Sequence, residues 1–197
     1  EGCDVFCTFC IIPLGRGSSR SRVFQDILKE VHELEGRNFK ELVITGTRLR
    51  DYYDPKTGLG LQGLIEGLLK NTKNIRLRVS SLEPPEITES LLGIMGSDSR
   101  LCPHVHISLQ NTEDRTLERM GRYYSRKEVE EAFNRIEKQN KNIFVGMDLI
   151  SSFPGESEQD HKNMLRCLES HYWSRIHGFP YSIREGTPAA TMEAQVP

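Results

Sequence analysis

The chain has 197 residues, 37% of them hydrophobic and 27% charged, with a formal net charge of −2. That balance suits a globular domain with one sizeable core. It offers no run of about 18 apolar residues to cross a membrane, no basic-then-apolar leader, and no bulk positive charge of the kind that marks nucleic-acid binders.

In chain order, the first stretch is EGCDVFCTFCIIPLGRGSSRSR, with Cys3, Cys7 and Cys10 at CxxxCxxC spacing, Phe9 just before the last cysteine, and Arg16, Arg20 and Arg22 following. VFQDILKEVHEL then puts Val23, Ile27, Val31 and Leu34 at helical spacing, with Gly36 expected as the stop. KELVITG (40–46) predicts a buried strand, and Arg48 and Arg50 lie in the loop after it. LQGLIEGLLK predicts a helix weakened by two glycines. IRLRVSS (75–81) predicts a strand, and EITESLLGIM a helix entered through Pro84-Pro85. HVHISLQ (104–110) alternates as a strand does. A basic stretch follows (Arg115, Arg119, Arg122, Arg126, Lys127), read either as a solvated face or as a phosphate contact. Ser125 with Glu128 predicts a capped helix carrying Val129, Ala132, Phe133 and Ile136. IFVGMDLI (143–150) is a strand, Ser157 with Asp160 caps a further helix, and RIHGFPY (175–181) is a last strand. Residues 182–197 are expected to be an exit linker, leaving 1–181 as the core.

Five predicted strands joined by helices imply an α/β fold with a parallel sheet and right-handed crossovers. Apolar strands buried on both faces fit a barrel or a doubly wound sheet. Functional groups are then expected at the C-terminal strand ends. Polar residues stand there: Thr45-Gly46-Thr47, Ser80-Ser81, Gln110, Ser151-Ser152 and Tyr181.

The absence of a secretory signal argues for reduced thiols among the five cysteines, and the odd count agrees. Three readings of the cysteine loop stand open. The thiols could be unrelated buried residues. They could form a structural zinc site, which wants a fourth ligand such as His104, His106 or Cys102. Or they could hold an iron–sulfur cubane with one iron left unligated by protein. An open position is what a reactive metal site needs, and the amine and carboxylate of S-adenosylmethionine could chelate there. His104 and His106 share one strand face. With no carboxylate near them in sequence, they are read as packing residues rather than metal ligands. Cys102 and Cys167 are read as packed thiols.

The opening stretch resembles the cluster loop of radical S-adenosylmethionine enzymes, specifically their methylthiotransferase branch. Ordered matches continue through ELVITGT, RVSSLEPPEIT, LCPHVHISLQ with RMGRYYS, GMDLISSFPGESEQD and IHGFPYSIREGTPAA. Within the branch the chain looks most like enzymes that modify threonylcarbamoyladenosine in tRNA. Isopentenyladenosine tRNA and a ribosomal protein are the alternative substrates, and a non-catalytic metal-stabilised RNA-binding module is the alternative class. The resemblance implies a partial parallel (β/α) barrel of about six strands, the first lying before Glu1, in a cytoplasmic transferase. It implies a 4Fe–4S cluster on Cys3, Cys7 and Cys10, and S-adenosylmethionine bound by Phe9, Thr45, Gly46, Thr47, Gln110, Asp148, Ser151, Ser152, Phe179 and Tyr181. Glu83, Arg16, Arg20, Arg22 and Arg48 would face a tRNA substrate. An external one-electron reductant, an N-terminal domain with an auxiliary cluster and a C-terminal RNA-binding module are the implied partners. The chain departs from the family pattern in three places. QNT follows the fourth family strand where Gln-Ser-Gly is usual, Ser152 replaces a Gly, and Gly178 replaces a bulkier residue.

Overall fold

The computed structural model describes residues 1–139 and 142–196. Its elements run α1 (Ile12–Arg16), α2 (Phe24–Gly36), β1 (Glu41–Ile44), α3 (Leu61–Asn71), β2 (Arg76–Val79), β3 (Ser81–Leu82), α4 (Glu89–Ser97), β4 (His104–Gln110), α5 (Asp114–Arg119), α6 (Arg126–Gln139), β5 (Phe144–Ser151), α7 (Glu158–Glu169) and β6 (Arg175–Pro180). Every pairing between these strands is parallel, as helical crossovers require. Among the described residues, no helix is long and apolar enough to cross a membrane.

The strand expected at 75–81 is one path that changes partner at Ser80. Val79 pairs with Ile44 of β1, whereas Ser81 pairs with His106 of β4. The sheet is therefore written as β1-β2 and β3-β4-β5-β6. The backbone keeps the halves together: the Cys102 N–H donates to the Leu77 carbonyl at 2.8 Å, and the Ser80 N–H to that of Ile44 at 3.0 Å. Such a break lets a twisted parallel sheet curl instead of lying open.

Burial alternates along β4. Val105, Ile107 and Leu109 are at most 1% exposed and join one core with Ile65, Leu68, Leu92, Phe133, Ile136 and Leu168 from the helices. The other face carries His104, His106, Ser108 and Gln110, all part-exposed. For β4 the expectation of burial on both faces is thus corrected, whereas in β5 the successive residues Val145, Gly146 and Met147 are all buried. Helices cover one face of β4, and the residues of the other are too polar to be buried against them.

Two further corrections concern chain ends of elements. Gly36 is the last residue of α2 rather than its stop; the left-handed turn is made by Asn38 at φ 67°. There the Phe39 N–H reaches back to the Leu34 carbonyl at 3.1 Å, and asparagine tolerates that backbone better than most side chains. Residues 182–196, expected as an exit linker, instead fold back on the domain. A 3-10 turn at Pro188–Thr191 buries Ala189 completely, and the Ala189 N–H donates to the Thr8 carbonyl at 2.8 Å. Pro197, the last residue of that stretch, lies outside the described residues.

Candidate functional site

The cysteine loop sits at the C-terminal rim of the strands. It is pinned from several sides. The Cys3 N–H donates to the Gly17 carbonyl at 3.1 Å, and the Cys10 N–H closes a turn on the Cys7 carbonyl at 2.9 Å. Thr8 donates through its N–H to the Met120 carbonyl (2.9 Å) and through its hydroxyl to that of Arg119 (2.7 Å). Gly2 has φ 78°, and a Cβ there would stand 2.0 Å from the Ser18 carbonyl oxygen, so this crossing requires glycine. All three thiols are free, Cys7 buried and the others half-buried, and burial pushes the Cys3 thiol up.

Behind Cys7 lies a buried charge knot. Arg122 donates through Nη1 to Cys7 Sγ at 3.2 Å and through Nη2 to Glu83 Oε1 at 2.5 Å. Its Nε donates to the Tyr124 hydroxyl at 3.1 Å, and Nη2 also lies 3.4 Å from the Ser108 carbonyl on β4. The Arg122 and Glu83 side chains are 6% and 8% exposed. Burial disfavours the Arg122 cation, but Tyr124, Glu83 and Cys7 around it outweigh that and hold its pKa above the ordinary value. Glu83 Oε2 accepts from Arg48 Nε at 3.1 Å and from the Tyr123 hydroxyl. Arg48 also pairs with Asp51 at 2.8 Å. Burial, then the carboxylate of Glu83, raise the Tyr123 hydroxyl to about 12. Glu83 and Arg48, expected on the substrate side, stand here paired with each other, and Glu83 also with Arg122, because a buried charge left unpaired is costly.

The remaining nominated residues fall into groups. Thr45, Gly46 and Thr47 follow β1 and line a cavity of about 720 Å3 with Arg16, Arg20 and Arg22. Gln110 and Ser151 end β4 and β5, and Tyr181 follows β6, its N–H donating to the Ser151 carbonyl at 2.8 Å. Phe9 meets the Phe153 ring edge-on at 6.2 Å, and Phe153 meets Tyr181 edge-on at 5.2 Å. Phe179 is 52% exposed. Gln110 and Ser152 hold φ 61° and 58°. The latter explains why a glycine is usual at Ser152. Asn111 answers the QNT departure: its Oδ1 accepts from the N–H groups of Thr112 (2.9 Å) and Glu113 (3.0 Å), closing the turn by itself. Among the described residues, no atom beyond its chain neighbours lies within 4 Å of a Cβ built at Gly178, so the bulkier family residue has open space here.

Asp148 lies below this rim, between His106 and His177. No local pattern signals a carboxylate beside His106, because the three residues come from three strands. Arg122, Tyr123 and Phe153 were missed as well. A buried arginine inside a basic stretch looks like its exposed neighbours until the fold is known.

The donor set separates the readings of the cysteine loop. Among the described residues, the group of three sulfur, imidazole or carboxylate ligand atoms within 4.8 Å of one another is His106, Asp148 and His177. The three loop thiols are spread more widely than a single ion grips. Cys102, a candidate fourth ligand, sits before β4 at the opposite strand end, bound to Arg76 (3.3 Å) and Glu41 (3.4 Å). Cys167 is buried on α7. Three thiols on one loop, with no fourth to close the set, fit a multi-iron cluster with a free corner.

A family profile described as "Radical SAM superfamily" matches residues 1–168. Over the whole chain, the sequence is 35% identical to a "Threonylcarbamoyladenosine tRNA methylthiotransferase MtaB" of Bacillus subtilis (strain 168) and 39% identical to the protein of that name in Aquifex aeolicus (strain VF5), covering 44% and 48% of them. It is 34% identical to a "tRNA-2-methylthio-N(6)-dimethylallyladenosine synthase" of Clostridium tetani (strain Massachusetts / E88), covering all of this chain and 44% of that protein. The chain thus spans less than half the length of these relatives. Among solved structures, the radical S-adenosylmethionine methyltransferase TsrM from Kitasatospora setae aligns with a TM-score of 0.78 at 14% identity, over 96% of this chain and 37% of that one. Coproporphyrinogen III oxidase (HemN) from Escherichia coli aligns at 0.69 and 16% identity, over 100% and 46%. These two likenesses bear on the fold, a parallel α/β barrel type.

Proposed function

This chain belongs to the Radical SAM superfamily, and from that premise we propose that it is the radical core of a tRNA methylthiotransferase. Its substrate is a threonylcarbamoyl-modified adenosine next to the anticodon, in the cytoplasm. The observation that carries the reading is the three-thiol loop held over the C-terminal strand ends, with the other two cysteines buried elsewhere. The relatives named for methylthiolation support the reaction class, and identities of 35% and 39% to those named for threonylcarbamoyladenosine, against 34% to one named for dimethylallyladenosine, favour the former substrate.

Cys3, Cys7 and Cys10 would hold a 4Fe–4S cluster. Bound there with S-adenosylmethionine, it supplies one-electron cleavage of the sulfonium and so an adenosyl radical. The protein's residues orient and insulate. Arg122 fixes the Cys7 sulfur and sets a buried positive charge beside it, one of the levers that tune such clusters. Thr8 and Gly2 hold the loop's shape. The Thr45–Thr47 turn, Gln110, Ser151 and Ser152 line the rim where the cofactor's polar groups would sit, and Phe9, Phe179 and Tyr181 offer it ring faces. Arg16, Arg20 and Arg22 stay exposed and suit RNA phosphates. An external reductant, an auxiliary-cluster domain and an RNA-binding module complete the reaction in the longer protein.

Anaerobic reconstitution with iron and sulfide tests this. We expect about four irons per chain, a brown protein, and cofactor cleavage under reductant, with all three lost in Cys7→Ala. Colourless protein retaining zinc would overturn the reading. Supplying tRNA bearing either modified adenosine to the longer protein decides between the two substrates.

A further inference from the structure

On the same sheet face as the rim, but lower, three strands bring two imidazoles to one carboxylate. His106 Nε2 on β4 lies 3.0 Å from Asp148 Oδ2 on β5, and His177 Nδ1 on β6 lies 3.2 Å from Asp148 Oδ1. The three ligand atoms fall within 4.8 Å of one another, and the two imidazole rings stand 5.5 Å apart, tilted by 44°. We propose that His106, Asp148 and His177 form a second metal site, which takes one divalent transition ion and leaves a coordination position open to the adjoining cavity.

The donor set decides the class of ion. Two imidazoles and one carboxylate suit zinc, cobalt, nickel or ferrous iron, whereas calcium and magnesium take oxygen ligands. Three protein ligands with an open side are the pattern of reactive rather than closed structural sites. Space for the open side exists. A cavity of about 480 Å3 meets His106 and His177, and it is also lined by Arg76, Arg78, Arg175 and His104. His104 contributes a buried Nδ1 with no hydrogen-bond partner among the described residues. Room for the His106 ring is itself built in: a Cβ at Gly146 would stand 2.9 Å from its Nδ1.

The arginines narrow the choice further. Arg78 pairs bidentately with Glu41 at 2.6 and 3.2 Å, and Arg76 lies 3.9 Å from the same carboxylate. One carboxylate so offsets part of the charge of two guanidinium groups. Arg175 has no partner among the described residues. A cation here needs strong ligand bonds rather than bulk attraction, and the open position favours an anion such as hydroxide or phosphate as the fourth ligand.

Cobalt(II) is the probe, because its visible bands separate imidazole and carboxylate ligation from thiolate ligation. Cobalt is titrated into the chain carrying Cys3→Ser, Cys7→Ser and Cys10→Ser. We expect one equivalent bound without thiolate charge-transfer bands, and affinity reduced at least about tenfold in the added Asp148→Asn or His177→Ala variants. In parallel, the cluster-loaded parent is given zinc and its zinc content measured after desalting. One extra equivalent is expected, and it should be lost in Asp148→Asn. Cobalt that fails to bind, or binding unchanged by both substitutions, would leave His106–Asp148–His177 a hydrogen-bonded cluster and overturn the proposal. So would zinc content in the cluster-loaded parent equal to that of its Asp148→Asn variant. Because the cobalt arm lacks the loop thiols altogether, its outcome is independent of whether the cysteine loop holds a cluster.

Discussion

Arg48 and Arg122 lie behind the cysteine loop, while Arg16, Arg20 and Arg22 lie in and after it, and the two sets do opposite work. In the knot, Glu83 is shared between Arg48 and Arg122, with side chains 8%, 15% and 6% exposed. In the strip, Arg22 meets Glu30 at 2.5 Å with 60% and 51% of the two side chains exposed, and Arg20 meets Glu1 at 3.7 Å with 69% and 75%. Burial is the difference. A buried charge must find its partner or remain uncompensated, whereas an exposed pair is screened and remains free to exchange partners. The knot holds the back of the cysteine loop through Arg122, whereas the strip leaves its guanidinium groups in solvent.

The most severe way to break that contrast is Glu83→Gln. It leaves the buried Arg122 without its carboxylate and Arg48 with Asp51 alone, and we expect a loss of about 3–5 kcal/mol in urea unfolding. A loss below about 1 kcal/mol would mean that the knot is as replaceable as the strip.

Glu86, three residues along, gives the next largest effect. Its Oε2 accepts from the Glu83 N–H at 2.8 Å while Oε1 is buried without a partner among the described residues, and burial pushes its carboxyl from 4.5 to about 7. The folded state therefore binds this proton more tightly than the unfolded chain does. The stability it contributes is full below about pH 4.5 and is lost as pH rises through about 7. Glu86→Gln should flatten the decline in urea midpoint between pH 5 and pH 8, and an unchanged slope would assign the decline to other groups.

Ser152, outside both regions, serves as a backbone control. Replacing it with glycine at φ 58° should raise stability by about 1 kcal/mol, read as a shift in thermal midpoint. Smallest of all, Glu30→Gln in the strip should change stability by no more than about 0.5 kcal/mol. A larger change would show that the strip is structural after all.

Much of this was legible in the residues. The CxxxCxxC loop, the β/α alternation and the capping pair at Ser157 and Asp160 are local, and each appears in the fold where its pattern predicts. The elements misjudged were those decided by distant neighbours. The 182–196 stretch is rich in turn residues, yet it docks because Ala189 finds a buried seat beside Phe153 and Met120. Gly36 carries the usual residue type for a helix stop, but the chain turns two residues later at Asn38.

The amino-acid sequence by itself determined the family, the three thiols and the order of strands and helices, because spacing and periodicity are properties of neighbouring residues. Only the tertiary structure decided which arginine is buried against Cys7, which charges Glu83 pairs with, and that Asp148 stands between two histidines. Those facts depend on which strands lie side by side and how deep each charge is placed, and no local pattern encodes the desolvation that makes buried charges pair.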